Sequence, residues 1–209
     1  MVKLWGRASS HNVMKVIWLL DELGLSFERI DIGGAFGGTD TPQFRKLNPL
    51  PLVPVLEEAG GFSLFESNAI LRYLCVAHAR ESSLYPPSPK IRGEIDAWMD
   101  FQQTAIGPPM ATAFLGLIRT PPERRDNTAI SAAIGQAGRL WDVLDRRLAK
   151  HDFIVGNTLT LADIAHGALA HRWLALDIPD RTEAPHMLAW YHRMMQRPAY
   201  HKYLAVELV

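Results

Sequence analysis

Apolar residues run together from Val2 to Trp5, then recur at Val13, Val16, Ile17, Leu20 and Leu23 before Gly24. The first run has strand length, and the second returns every three or four residues, the spacing of one helix face. Residues 26–32 predict a second strand, followed by the loop-like GGAFGGTDTP. Residues 53–56 and 62–65 predict a hairpin joined through 57–61, and a helix over 66–78 closes this half. The order βαβ-ββα is a compact α/β unit, placed at residues 1–80 because SSLYPPSP, rich in proline and serine, reads as a linker. From residue 88 to 209 the pattern is helical throughout: Ile91, Ile95, Trp98 and Met99, then Ile130, Ile134, Ala137, Trp141, Leu144 and Leu148. Pro108-Pro109 is expected to end or bend the first of these helices, and RTPPERRD to separate it from the next, since proline lacks an N–H and clashes with the preceding turn. The predicted fold class is α/β plus all-α, a thioredoxin-like domain followed by a helical bundle.

Composition narrows the function classes. Lys plus Arg and Asp plus Glu number 22 each in 209 residues, so no net field draws nucleic acid or anionic lipid. No stretch approaches the roughly 18 consecutive apolar residues of a membrane span, and the start lacks a signal-peptide apolar region; the expected location is cytoplasmic. The single cysteine, Cys75, excludes an intrachain disulfide and a CxxC pair, and reads as a buried small hydrophobe. The eight histidines form no HExxH spacing, and His166 and His171 do not share a helix face, so no metal is expected.

Three segments carry a family resemblance. NPLPLVPVL followed by LFESNAILRYL resembles the glutathione-binding core of the glutathione transferase superfamily, a Val-Pro turn and then a strand ending in Glu-Ser at a helix start. KLWGRASSHNVMKVIWLLDELGL resembles the first strand and helix of its serine-type branches (theta, phi, zeta, and the bacterial nu-like pattern). FIVGNTLTLADIA resembles the capping segment of its helical domain, with Thr160 as cap and Asp163 as capping-box acid. The resemblance implies a detoxification enzyme with glutathione as co-substrate, a hydrophobic electrophile as second substrate, and a homodimer formed between the third helix near Arg72 and the start of the helical domain near Arg92 and Asp96.

The chemistry requires a thiolate near neutral pH from a thiol whose ordinary pKa is about 8.5. Ser10, at the start of the first helix, can donate its hydroxyl to sulfur where the helix N–H groups converge. Asn12 can donate an amide without ionising, and the nu-like pattern implies that it shares the role. Alone, Ser9, Ser10 and Asn12 would read as an ordinary helix start. The resemblance implies that Val53 pairs with the tripeptide backbone beside a cis Val53-Pro54 bond, that Glu66 accepts from the γ-glutamyl ammonium, and that Ser67 with the third helix's N–H groups holds its carboxylate. With no cysteine in the first motif, the omega, beta and glutaredoxin-like branches are disfavoured.

The chain departs from the family at Leu52, where the phi pattern has glutamine, and at GGTDTP, which supplies no lysine for the glycine carboxylate; Arg45 and Lys46 are the substitutes in sequence. Ile106, Pro109, Met110 and Phe114 are expected either to line the hydrophobic pocket beside the Ser10 loop or to be core. Trp5, Trp98, Trp141, Trp173 and Trp190 read as packing groups. Alternatives to conjugation are a GST-fold binding or regulatory protein, a glutathione-dependent isomerase suggested by SSHN, and a disulfide reductase.

Overall fold

The computed structural model describes residues 1–179 and 181–209. It divides into two compact units, Met1–Tyr85 and Pro86–Val209, and the chain passes between them inside SSLYPPSP.

In the first unit β1 (Val2–Trp5) pairs in parallel with β2 (Phe27–Ile30), the two being linked through α1 (His11–Glu22). β3 (Val55–Glu57) runs antiparallel to β1 and to β4 (Ser63–Phe65), giving the order β2-β1-β3-β4. Pairing starts two residues later than the apolar pattern suggests, because Pro54 has no N–H to enter the ladder. Val53 therefore stands just outside β3, joined to Pro54 by a cis peptide. GGAFGGTDTP is only partly loop: Gly34–Phe36 makes a 3-10 turn, and Pro42 opens the short α2 (Pro42–Leu47). Thr41 caps it by accepting the Phe44 N–H at 3.3 Å, and proline fits a first helical position, whose N–H would lack an intrahelical partner anyway.

Strand alternation distributes the core. Trp5, Val55 and Phe65 stand in register and pack with Ile32, Phe44, Leu47 and Val53. Leu4 and Leu56, one step along, are fully buried on the other face. The buried residues of α1 and of α3 (Ser67–His78), among them Val16, Ile17, Leu20, Ile70, Leu71 and Leu74, belong to helices that pack on one another. Between β1 and α1 the chain needs a glycine: Gly6 has φ 154°, and a Cβ there would lie 2.4 Å from Val13 Cγ2.

The second unit contains α4 (Pro89–Phe101), α5 (Gly107–Phe114), α6 (Asn127–Leu148), α7 (Leu161–Ala175), α8 (Pro185–Met195) and α9 (Pro198–Tyr203). Pro108-Pro109 does not end the first helix. α4 continues through a π-helical turn, Gln102–Ile106, into α5, and a second such turn, Leu115–Arg119, follows. Two missing donors leave carbonyls one turn earlier without partners, and the wider turn absorbs that mismatch. The break comes at RTPPERRD, where Pro122–Arg124 is a 3-10 turn and Asp126 caps α6 through the Ala129 N–H at 2.9 Å. Along α6, Ile130, Ala137, Trp141, Leu144 and Leu148 are buried as the period requires, with Ile134 half-buried; Ile91 on α4 is exposed.

The capping segment of α7 forms as its sequence suggests. Asp163 accepts from the Thr160 N–H (2.8 Å) and hydroxyl (2.9 Å), the Ile154 N–H (2.9 Å) and Trp190 Nε1 (2.9 Å). Burial pushes this carboxyl above its ordinary range, and those donors oppose the shift. No helix among the described residues is long and apolar enough to cross a membrane.

Candidate active site

Ser10 is the N-cap of α1, with extended backbone (φ −85°, ψ 121°). Its carbonyl takes the Val13 and Met14 N–H groups, both at 2.9 Å, but its hydroxyl makes no capping hydrogen bond. The residue thus sits at a helix start, where partial positive charge accumulates, with a hydroxyl that the helix does not use. It is nearly buried, at 8% exposure, so a group bound to it would be largely shielded from water.

Two residues on, Asn12 Oδ1 accepts from the Ser67 hydroxyl at 3.2 Å. Ser67 is the first residue of α3, so this bond ties the N-termini of two helices together. It also orients the amide: the oxygen is occupied, and the two Nδ2 hydrogens have no partner among the described residues. The sequence-predicted residues of the sulfur end and of the γ-glutamyl end therefore form one cluster.

Glu66 is the N-cap of α3, at φ 68° and ψ 109°, the one non-glycine residue with positive φ among the described residues. Such a conformation costs about 1–3 kcal/mol and persists only where the surroundings enforce it. Its carboxylate is exposed while Ser67 and Asn68 behind it are buried. A zwitterionic amino acid matches this corner, its ammonium toward Glu66 and its carboxylate toward the first N–H groups of α3.

On the other side of the cluster Val53 is half-buried, and Leu52, in place of a polar residue, is 57% exposed. The loop leading to them is braced by Asn48, whose Nδ2 donates to the Leu52 carbonyl and whose Oδ1 accepts the Leu50 N–H, both at 2.9 Å. Sequence reasoning passes over Asn48, although an asparagine before NPLPL prolines is a turn signal. Arg45 donates to the Pro49 carbonyl. Another cation flanks the same glycine as Val53: a Cβ on Gly33 would meet Arg7 Nη1 at 3.2 Å and Val53 Cγ1 at 3.4 Å, and one on Gly34 would meet Arg7 Nε at 2.9 Å.

Lys15 is the residue that the pattern hides. At helical spacing it falls about 100° from Val16, away from the predicted apolar stripe, yet it is 1% exposed and its Nζ donates to Asn68 Oδ1 at 3.0 Å. Burial pushes its pKa down to about 7, with Glu66 opposing that shift and Arg72 adding to it.

In the helical unit, Ile106, Pro109, Met110 and Phe114 are all buried, and the Arg172 guanidinium lies 3.9 Å from the centre of the Phe114 ring. Exposed apolar groups of the same segment are Leu115 and Ile118. Cys75 is buried, as are Trp141, Trp173 and Trp190; Trp5 and Trp98 are half-buried.

Known proteins match this arrangement along its whole length. Residues 1–75 match the glutathione S-transferase N-terminal domain, and residues 107–198 the C-terminal domain. Glutathione S-transferase GstB of Escherichia coli K12 is 35% identical over 207 residues, covering 99% of both chains. Glutathione S-transferase 3 of Zea mays is 30% identical over 98% of this chain and 93% of its own. The theta class glutathione S-transferase of Xanthomonas axonopodis pv. citri, solved with glutathione bound, superposes with a TM-score of 0.94 at 39% identity, covering 100% of this chain and 99% of that one. The chain belongs to the glutathione S-transferase family.

Proposed function

We propose that this glutathione transferase holds the cysteinyl sulfur of glutathione as thiolate through Ser10, assisted by Asn12, for attack on a small hydrophobic electrophile. The γ-glutamyl ammonium is taken by Glu66, its carboxylate by Ser67 and the α3 N-terminus, and the tripeptide backbone by Val53 beside Pro54. The glycine carboxylate is assigned to Arg7, whose guanidinium lies against Gly33 as the Val53 side chain does. Ionisation sends the thiol proton to solvent; the sulfur lone pair then forms the new bond to carbon as the acceptor's π electrons or leaving group move away. Each pKa unit of thiol lowering corresponds to about 1.4 kcal/mol, so a charge-assisted hydroxyl donor at a helix N-terminus accounts for a shift of one or two units.

The observation that supports this most is the uncommitted Ser10 hydroxyl at the start of α1, two residues from an asparagine bonded to the γ-glutamyl corner. Ile106, Pro109, Met110 and Phe114, being buried, are assigned to the core of the helical unit, and the apolar groups that this segment can offer a second substrate are Leu115 and Ile118. The enzyme is taken to act in the cytoplasm as a homodimer, through Arg72 of one subunit and the Arg92 and Asp96 region of the other.

Thiolate absorbance of bound glutathione, followed across pH, tests the assignment. Ser10→Ala is expected to raise the bound-thiol pKa by about one to two units and to slow conjugation, with little effect on affinity at low pH, because the hydroxyl favours the ionised form. Asn12→Ala is expected to shift it less in the same direction. A titration curve that Ser10→Ala leaves in place and Asn12→Ala moves would transfer the role to Asn12.

A further inference from the structure

Among the contacts that join α1 to the start of α3 are an outer and an inner hydrogen bond, and they differ in their relation to the ligand. The outer one, Ser67 Oγ to Asn12 Oδ1, consists of groups that the proposed function assigns to glutathione itself. The inner one, Lys15 Nζ to Asn68 Oδ1, is made by side chains 1% and 2% exposed. Asn12 and Lys15 are three apart on α1 and so share a face, while Ser67 and Asn68 are adjacent. The outer bond must rearrange when a carboxylate arrives, because a hydroxyl has a single proton to donate. The inner one remains.

We propose that Lys15 is a positioning residue of the glutathione site, fixing the γ-glutamyl corner of α3 at a set distance from the sulfur donors of α1 while the outer bond is exchanged for ligand. The inference rests on the assignment of Glu66 and Ser67 to the γ-glutamyl group. A buried lysine is an expensive way to join two helices, since an apolar pair would do so without desolvating an amine. What it adds is a donor to Asn68 in either protonation state, NH2 or NH3+, and a positive charge when protonated. The charged side chains acting on it are Glu66 and Arg72, both from α3 or its cap, with Glu66 favouring the ammonium. With the ammonium formed, Lys15 sets a positive charge behind the start of α3, on the side of Glu66.

Glutathione tethered at both ends feels a change in spacing that a single-ended ligand does not. Lys15→Met, close in volume and without charge or donor, is expected to raise KM for glutathione about tenfold and to raise the bound-thiol pKa, leaving KM for 1-chloro-2,4-dinitrobenzene unchanged. Asn68→Ala, which removes only the acceptor, is expected to act in the same sense and serves if Lys15→Met does not fold. A loose core would instead raise both KM values together, and that result, or wild-type values for glutathione KM and thiol titration, overturns the proposal. Glu66→Gln and Ser67→Ala are measured beside them: if these leave glutathione affinity intact, it is the γ-glutamyl assignment that fails, whereas if they weaken it and Lys15→Met does not, the failure belongs to Lys15 alone.

Discussion

Lys15 makes a statement about stability that can be checked apart from its role in binding. Its pKa in the fold is about 7, below the ordinary lysine value of 10.5. Between those values the unfolded chain binds more protons than the folded one, so stability rises with pH through this window; below about pH 7 both states are protonated and the destabilisation is complete. Denaturant midpoints of wild type and Lys15→Met should therefore converge or cross as pH rises from 7 to 9, the wild type gaining roughly 2 kcal/mol relative to the variant. Parallel pH profiles would mean that the amine is not desolvated as its burial requires. Residues such as this one mark the limit of the sequence. The places of Ser10, Asn12, Glu66 and Ser67 at two helix starts were legible because motif and helix-start chemistry coincide there. Lys15, Asn48 and Arg7 were not, because their roles come from what the fold brings beside them: a helix face covered on all sides, a proline-rich loop in need of a brace, a glycine loop folded over a guanidinium.

Among the elements, the strands and long helices were readable and the adjustments between them were not. Strand β1 follows directly from a short apolar run of strand length, and the stripe of α6 from period 3.6. The late start of β3 and the π-helical turns before and after α5 depend on how a chain accommodates proline, which can stop a helix or widen it. The cap of α7 was legible from Thr160 and Asp163, but only the fold adds the Ile154 N–H and Trp190 Nε1 as further donors to the same carboxylate. Removing that carboxylate leaves buried donors from three segments without an acceptor. Asp163→Ala is accordingly expected to cost about 3–5 kcal/mol, the range for breaking a buried charged network, while Asp163→Asn, which keeps one acceptor oxygen, should cost less. Urea unfolding of the two variants checks the order, and equal losses would show that the charge, not the hydrogen bonding, holds the segment.

At the scale of the whole molecule, the proposed homodimer is a claim about mass. Sedimentation equilibrium is expected to give about twice the 23.4 kDa of the chain, falling toward the monomer on dilution; isologous pairing is the commonest way such surfaces close. A charge reversal at Arg72 should weaken it and the compensating reversal at Asp96 restore it, and a single-chain mass at all concentrations would rule the assembly out. The proposed site also bears on the choice among competing thiols, through the Ser67 hydroxyl. Its one proton points to Asn12 Oδ1 in the free protein, and under the proposed assignment a γ-glutamyl carboxylate draws it away, leaving that oxygen without its donor. A plain thiol such as 2-mercaptoethanol can fill the sulfur position without that exchange, so on this proposal the enzyme tells glutathione from it at the end of the tripeptide remote from sulfur.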